Sequence, residues 1–472
     1  MATSAITAPT YEPTSTAKAL ADKYIEGAQT QLTSQTNTAN ATAKALTTLG
    51  SAISAFQTSL ASLTGIGHSL LAQSATMSDT TVGTASANST ASAGTYSLFV
   101  EKVATSSQVS YNSLADGAAL GGQLTVNLAD EGTATNTANF IVKLDATADT
   151  DGDSKLSVRE IAAAINSATG NAGKVSAGVV TVAGTQRLVL TSKNTGVANT
   201  VSVDGSLAAD AGVKAGFTTR TTIASAQDAV VWLGDPTDPA STKIPQASNT
   251  FTNIDGVSFT ATKAQAPGAT PFTLTVGGNA SGTTANVQAF VDAYNKLKSA
   301  LDGLVSAGDA KNSVSAGAFA HDSGVMALRG RMVDLLRPSG VLSLASYGIT
   351  AARDGGLSLD SARLQKQLAI NPTGLDTLIG TASTSAPKGI AGSLNTYLNQ
   401  WSNSTTGQIQ QRTDANSKLQ SALTQRQTDL DAKYDAAYQR YLKQYSALQT
   451  LQSTMQNNSS MFSSLFSSDS SN

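Results

Sequence analysis

The sequence predicts an α+β multidomain fold, with N- and C-terminal coiled-coil helices and a helical bundle whose two halves enclose two inserted β-rich domains. Three observations predict it. Near the N-terminus, Leu46, Leu49, Ile53, Phe56, Leu60 and Leu63 alternate by three and four residues, the spacing of a heptad seam. A second seam closes the chain through Ile409, Asn416, Leu419, Leu423, Leu430, Tyr434, Tyr438, Tyr441, Tyr445, Leu448 and Met455. Between them, residues 74–282 read mostly in period two, with Gly, Asn, Asp and Pro at the turns.

The first seam extends backwards in phase through Thr42, Ala39, Gln35, Leu32, Ala28 and Ile25. No Asp, Glu, Lys or Arg occurs from Ala45 to Ser78, so the remaining faces are small and polar and suit close packing by several neighbours. Gly27 and Gly50 weaken the helix, which is expected to stop near Gly65. Residues 1–17, with Pro9 and Pro13, are expected to be disordered. In the second seam the four-residue steps from Leu430 to Tyr434 to Tyr438 read as a stutter. The tail SSMFSSLFSSDSSN is expected to be floppy.

The pattern divides the chain into seven segments. Residues 1–42 form an N-terminal coiled-coil or disordered segment, and 43–73 the first part of a helical leg domain. Residues 74–112 begin an inner β domain, 113–227 form an outer β-rich domain, and 228–282 complete the inner one. Residues 283–404 complete the leg and 405–472 form the C-terminal coiled coil. Strands are predicted at TYSLFVEKV, QLTVNL, NFIVKL, VSAGVVTVA, RLVLTS and TVSV, then at AVVWLG, FTNIDGVSFTA and PFTLTV. Pro236, Pro239 and Pro245 mark a loop. SVREIAAAINSATG is a helix opened by the capping box Ser157/Glu160. Val287, Phe290, Val291, Tyr294, Leu297, Leu301 and Leu304 share one helical face, and further helices follow at about 323–337, after Asp360, and at about 389–401.

The composition excludes several functions. Among 472 residues the formal net charge is −2, which gives no electrostatic case for nucleic acid or an anionic membrane surface. Cysteine is absent, so disulfides, thiolate metal sites and cysteine nucleophiles are excluded. The N-terminus lacks the basic and apolar regions of a cleaved signal peptide, and no apolar run is long enough to span a bilayer. His68 and His321 are the only histidines and neither belongs to a recognisable catalytic set. No phosphate loop or other cofactor motif is found. The chain reads as a non-enzyme.

One motif carries possible metal chemistry. DTDGDSKLSVRE places Asp149, Asp151, Asp153 and Glu160 at positions one, three, five and twelve of a calcium loop, with Leu156 at the apolar eighth. Ser154 stands where the sharp turn wants glycine, and no helix enters the loop. The alternative is an acidic surface turn in which Ser157 and Glu160 cap the next helix. The heptads are read as a self-assembly seam. Only two residues in seven are seam positions, so burying them offsets little of the roughly 1–2 kcal/mol of backbone entropy per residue, and a lone helix of this kind should not hold.

Several stretches, in their order and spacing, resemble the FliD family of flagellar filament cap proteins, flagellar hook-associated protein 2. They are LTTLGSAISAFQTSLASL followed by ASAGTYSLFVEKVATSSQVS, then EIAAAINSA with VSAGVV and RLVLTSKNTGVANTVSV, and SNTFTNIDGVSFTATKAQAPGATPFTLTV. The resemblance continues in AFVDAYNKLKSALDGL, YGITAARDGGLSLDSARLQKQLAINP and GIAGSLNTYLNQWSNSTTGQIQQRTD. It implies a closed homo-oligomeric ring at the filament tip, exported without a cleaved signal, under which flagellin folds and inserts. It also implies hook-filament junction proteins and an export chaperone as partners, and host surface ligands where such caps act as adhesins. MATSAITAPTYEPTSTAKAL lacks the Gly/Ser-rich motif with which the family usually begins. Rival readings are another flagellar axial component, such as a junction protein or flagellin-like subunit, and a surface adhesin.

Overall fold

Helix α1 (Pro13–Thr64) runs 52 residues without a break. Many of its residues are Ser and Thr, which compete with the backbone for hydrogen bonds. Here the hydroxyls of Thr30, Thr38, Thr42, Thr47 and Thr48 donate to carbonyls four residues back, so they spend their bonding capacity inside the helix. Glu12 caps the first turn by accepting from the Ser15 N–H, and Pro13 fits where no donor is needed. The helix therefore starts earlier than the disorder expected through residue 17. It ends at Gly65, where a Cβ would lie 2.4 Å from the Ala61 carbonyl oxygen.

The computed structural model describes residues 12–128, 138–337 and 342–467. They form two compact units, one comprising residues 69–283 and the other the two flanking parts of the chain.

In the middle unit the chain runs through β1 (Gln73–Met77), β2 (Gly83–Ala87), β3 (Gly94–Lys102), β4 (Ser106–Tyr111), β5 (Ala118–Ala119), β6 (Gln123–Leu128), β7 (Ala138–Lys143) and β8 (Lys155–Leu156) to helix α2 (Val158–Ser167). It continues through β9 (Val175–Val182), β10 (Thr185–Thr195), β11 (Val201–Asp204), helix α3 (Ala211–Gly216), β12 (Thr221–Ala224), β13 (Ala229–Leu233), β14 (Thr242–Gln246), β15 (Thr250–Phe251), β16 (Val257–Ala261) and β17 (Phe272–Gly278).

Two cores result. Sheets β1-β17-β3-β13-β14 and β15-β16-β2 cover a core of Leu98, Val100, Val231, Phe259, Phe272 and Leu274. Sheets β12-β4-β10-β9 and β11-β6-β7 cover the other with α2 and α3. The period-two pattern places Leu124, Val126 and Leu128 inward on β6, against Phe140 and Val142 of β7. Tyr111 edges onto Phe217 at 4.8 Å, and its hydroxyl accepts from the Val203 N–H at 2.9 Å. Pro245, expected in a loop, lies in β14. That strand pairs only with β13, and a residue without an N–H is tolerated at a sheet edge.

The other unit is helical. Besides α1 it holds α4 (Ala280–Val305), α5 (Ser323–Leu335), the β18 (Ile349–Ala351) and β19 (Leu357–Leu359) hairpin, α6 (Ser361–Ile370), α7 (Gly374–Ile379), α8 (Gly389–Ser402) and α9 (Gln408–Ser467). All seven apolar residues predicted to share a face of α4 are buried. Val325 and Leu328 of α5 and Leu394 and Leu398 of α8 are buried in the same unit. Within it, Lys298 lies between Asp302 at 2.5 Å and Asp354 at 3.4 Å, and Arg329 also reaches Asp302. The Tyr294 hydroxyl is buried beside these carboxylates, and burial, with Asp302 and Asp354, pushes it up to about 12. Helix α9 is 60 residues long and extends to Ser467, so the expected floppy tail is helical as far as that residue, and 468–472 lie outside the described residues.

Candidate assembly surface

Helices α1 and α9 pack antiparallel, so segments nearly 400 positions apart in sequence share one seam. The Asn416 amide donates to the Ala39 carbonyl at 3.0 Å, while the Gln420 amide donates to Asn40 at 2.9 Å. Further along, Gln29 and Gln427 bond each other reciprocally. Leu32, Ala39, Leu423 and Leu430 form the apolar interior, with Ile25 against it.

Leu46, Leu49, Ile53, Phe56 and Leu60 are each no more than 2% exposed, whereas Leu63 is half-buried and Thr64 takes the buried place after Leu60. Here α1 is enclosed by more than one helix. Phe56 meets the Tyr294 ring edge-on at 6.5 Å. The Gln57 amide donates to Asn395 at 3.0 Å and Asn399 at 2.8 Å, and accepts from the Ser402 hydroxyl at 2.8 Å. The charge-free flank is what lets α8 approach this closely.

Below residue 46 the helix packs against α9, and the buried stripe narrows. Ala28 and Gln35, expected in the seam, are exposed, and Gln29 and Thr36 turn inward instead. On α9 the seam runs Asn416, Gln420, Leu423, Gln427, Leu430, Tyr434, Ala437 and Tyr441. Leu419 lies outside it and is 48% exposed. The stutter also disappears, because Ala437 and not Tyr438 occupies the buried place. Tyr438 is half-buried and stacks flat on Tyr434 at 6.4 Å. Tyr441 and Tyr445 are half-buried, and Leu448 is 39% exposed. Gln420 and Ala437 thus fill the seam one position away from the larger Leu419 and Tyr438.

Arg412 fastens α9 to the bundle. Its guanidinium donates to Asp322 at 2.6 and 3.2 Å and lies over Trp401 at 5.3 Å. Burial alone would raise the Asp322 carboxyl, but the Arg412 bonds and the Val325 N–H outweigh it and hold the group below its ordinary value.

The acidic loop has a separate geometry. Carboxylate oxygens of Asp149, Asp151 and Asp153 lie within 4.8 Å of one another. Ser154 adopts φ 63°, the left-handed conformation required at the sixth position, and its N–H donates to Asp149 at 2.9 Å. Glu160 does not join them. Its Oε2 accepts from the Ser157 N–H at 2.9 Å, its Oε1 from the Thr150 N–H at 2.7 Å, and these bonds lower its carboxyl to about 2. The Asp153 N–H lowers Asp151, but desolvation and the carboxylates of Asp153, Glu160 and Asp149 together carry that group above its ordinary value. His68 and His321 are both exposed and lie far apart in sequence.

Sequence models of the flagellar hook-associated protein 2 N-terminus and C-terminus match residues 11–107 and 226–457. The lateral flagellar hook-associated protein 2 of Vibrio parahaemolyticus is 35% identical over 300 residues, 62% of this chain and 65% of that protein. The chain thus spans a little under two thirds of that relative. The B-type flagellar hook-associated protein 2 of Pseudomonas aeruginosa is 33% identical over 387 residues, 75% of each chain. The crystal structure of the D1-D2-D3 domains of the flagellar cap protein FliD from Escherichia coli shares the fold, with a TM-score of 0.56 at 24% identity, covering 79% of this chain and 99% of that one.

Proposed function

The chain belongs to the flagellar hook-associated protein 2 family, and on that footing we propose that it is a filament cap. In this reading it forms a closed ring of copies at the distal end of the filament, holds flagellin there while it folds and inserts, and prevents its loss. The observation that carries the reading is that the two family matches cover residues 11–107 and 226–457, and that α1 and α9, the long helices of those two regions, pair with each other.

The architecture supports an assembly role in physical terms. A β-rich unit with two cores of its own would supply a plate. The helical unit supplies long, mostly polar surfaces suited to contacts that form and break as subunits add. The proposal includes a position outside the cell at the filament tip, flagellin and hook-filament junction proteins as neighbours, and an export chaperone. It assigns no catalysis.

Deletion of the gene tests it. Cells should shed unpolymerised flagellin and lose long filaments, and the full chain supplied in trans should restore them. A closed ring also differs from an axial filament subunit in its assembly, because a subunit that repeats without closure grows an open polymer. Open-ended growth of the purified protein in light scattering would overturn the cap reading, as would a deletion that abolished attachment to surfaces and left the filaments intact.

A further inference from the structure

The seam of α9 continues where α1 ends. Asn416 lies level with Ala39 and Gln427 with Gln29, which brings Pro13 level with the turn around Lys443. Helix α9 runs on to Ser467, roughly seven further turns. Over that stretch the steps that lead through Leu430, Tyr434, Ala437 and Tyr441 reach Leu448, Leu451, Met455 and Phe462. These four are 39%, 57%, 63% and 63% exposed. The row is thus an in-phase continuation of a seam that is covered lower down, and none of the described elements covers it.

We propose that this row is a self-association surface, on which the same stretch of further copies packs in parallel to form a small helical bundle. The proposal rests on the ring reading above for the presence of several copies side by side, and it deepens that reading by naming where their terminal helices meet.

Three features favour another copy of this chain as the occupant. The spacing is that of the α1/α9 seam, so a helix with the same repeat can engage it along its whole length. No Asp, Glu, Lys or Arg occurs between Lys443 and Asp469, so identical helices meet without like-charge repulsion, and nothing on this stretch recruits a charged partner. The third feature is Asn458, seven positions beyond Leu451 in the same row. Antiparallel copies that pair Met455 with Leu451 would set the Asn458 amide against Leu448, leaving a buried polar group without a partner. Parallel, in-register copies let each Asn458 meet its like, the arrangement in which a single amide in an apolar seam specifies register. Copies around a closed rotational ring also point the same way, as the parallel arrangement requires.

The absence of cysteine from the chain permits a clean test. Leu451→Cys is made in the full-length protein, with Ser453→Cys, on the opposite side of α9, as its control. Both positions are exposed, so neither substitution removes a buried contact. Under mild oxidation Leu451→Cys should form disulfide-linked dimers at least tenfold faster than Ser453→Cys, because a disulfide needs Cα atoms within about 7 Å. Equal rates at the two positions, or no cross-linking at Leu451→Cys, would overturn the proposal. Coverage of the row by residues 1–11 of the same chain, or by a helix of a different protein, gives that second result. The readout uses purified protein and needs no filament. Failure here with normal filament growth in the trans-complementation experiment removes this inference alone, and cross-linking without restored filaments removes only the cap reading.

Discussion

Gln29 and Gln427 exchange amide hydrogen bonds across the α1/α9 seam, at 3.1 and 3.0 Å. Both are half-buried, one turn from the apolar layer of Leu32 and Leu430. A reciprocal amide pair contributes little net stability but penalises any register in which one amide faces an apolar neighbour. Gln29→Leu should therefore cost about 0.5–1.5 kcal/mol by removing both seam bonds of Gln427, which keeps only its bond to Asp431. Adding Gln427→Leu should recover that loss and raise the melting temperature of the helical signal at 222 nm. The quantity to compare is the coupling energy between the two sites. Additive single and double variants would show that the pair does not set the register.

Phe56 carries a larger share of the helical unit. It is 2% exposed and meets Tyr294 edge-on, deep in the α1/α4 contact. Phe56→Ala should cost about 3–5 kcal/mol through lost burial and the cavity left behind. Phe56→Asp should abolish the packing of α1 on α4, since an unpaired charge cannot be buried there. In hydrogen exchange, both variants should lose protection in residues 13–64 and 284–305 while β3, β10 and β17 keep theirs. Equal loss in the strands would mean that the β cores depend on the helices.

The heptad residues from Leu46 to Leu60 were legible because several neighbours enclose that part of α1, and each partner demands a large apolar contact. The lower seam was legible only in its period. Where one helix covers another, alanine and glutamine suffice, and a reading that follows leucine and tyrosine picks Leu419 and Tyr438 over Gln420 and Ala437. The capping box at Ser157 and Glu160 was explicit in the sequence, but the second bond of Glu160, to the Thr150 N–H, depends on how the acidic loop folds back. Likewise, nothing local announces that Asp322 will meet Arg412 across 90 positions. Such pairs are fixed by tertiary packing alone.

That pair supports its own prediction. Asp322 caps α5 by accepting from the Val325 N–H, and it also binds Arg412, so it joins two helices through one carboxylate. Arg412→Ala should cost about 1.5–3 kcal/mol, the range for hydrogen bonds to charged groups, with part of the loss coming from the removed stacking on Trp401. Arg412→Lys should recover only part of it, because an ammonium cannot make the two-pronged contact. The denaturation midpoint of the helical unit measures both effects, and a lysine variant as stable as the parent would show that charge alone matters there.

The acidic loop predicts a pH dependence with a defined sign. Glu160 falls from an ordinary value of 4.5 to about 2 because the Ser157 and Thr150 N–H groups bind its ionised form. A carboxyl depressed on folding stabilises the native state fully above its unfolded value, and the contribution is lost as the pH falls from about 4.5 towards 2. At neutral pH it amounts to about 3 kcal/mol. Asp151 acts in the opposite sense, since its raised value means that protonation relieves repulsion from Asp149, Asp153 and Glu160. Glu160→Gln should lower the stability of the domain containing α2 at pH 7 and flatten its loss between pH 4.5 and 2. Asp151→Asn should leave that acid slope in place and slightly raise stability at pH 7. Urea midpoints measured across this range separate the two. An unchanged acid slope in Glu160→Gln would assign the closing of the loop to the aspartates and not to the helix cap.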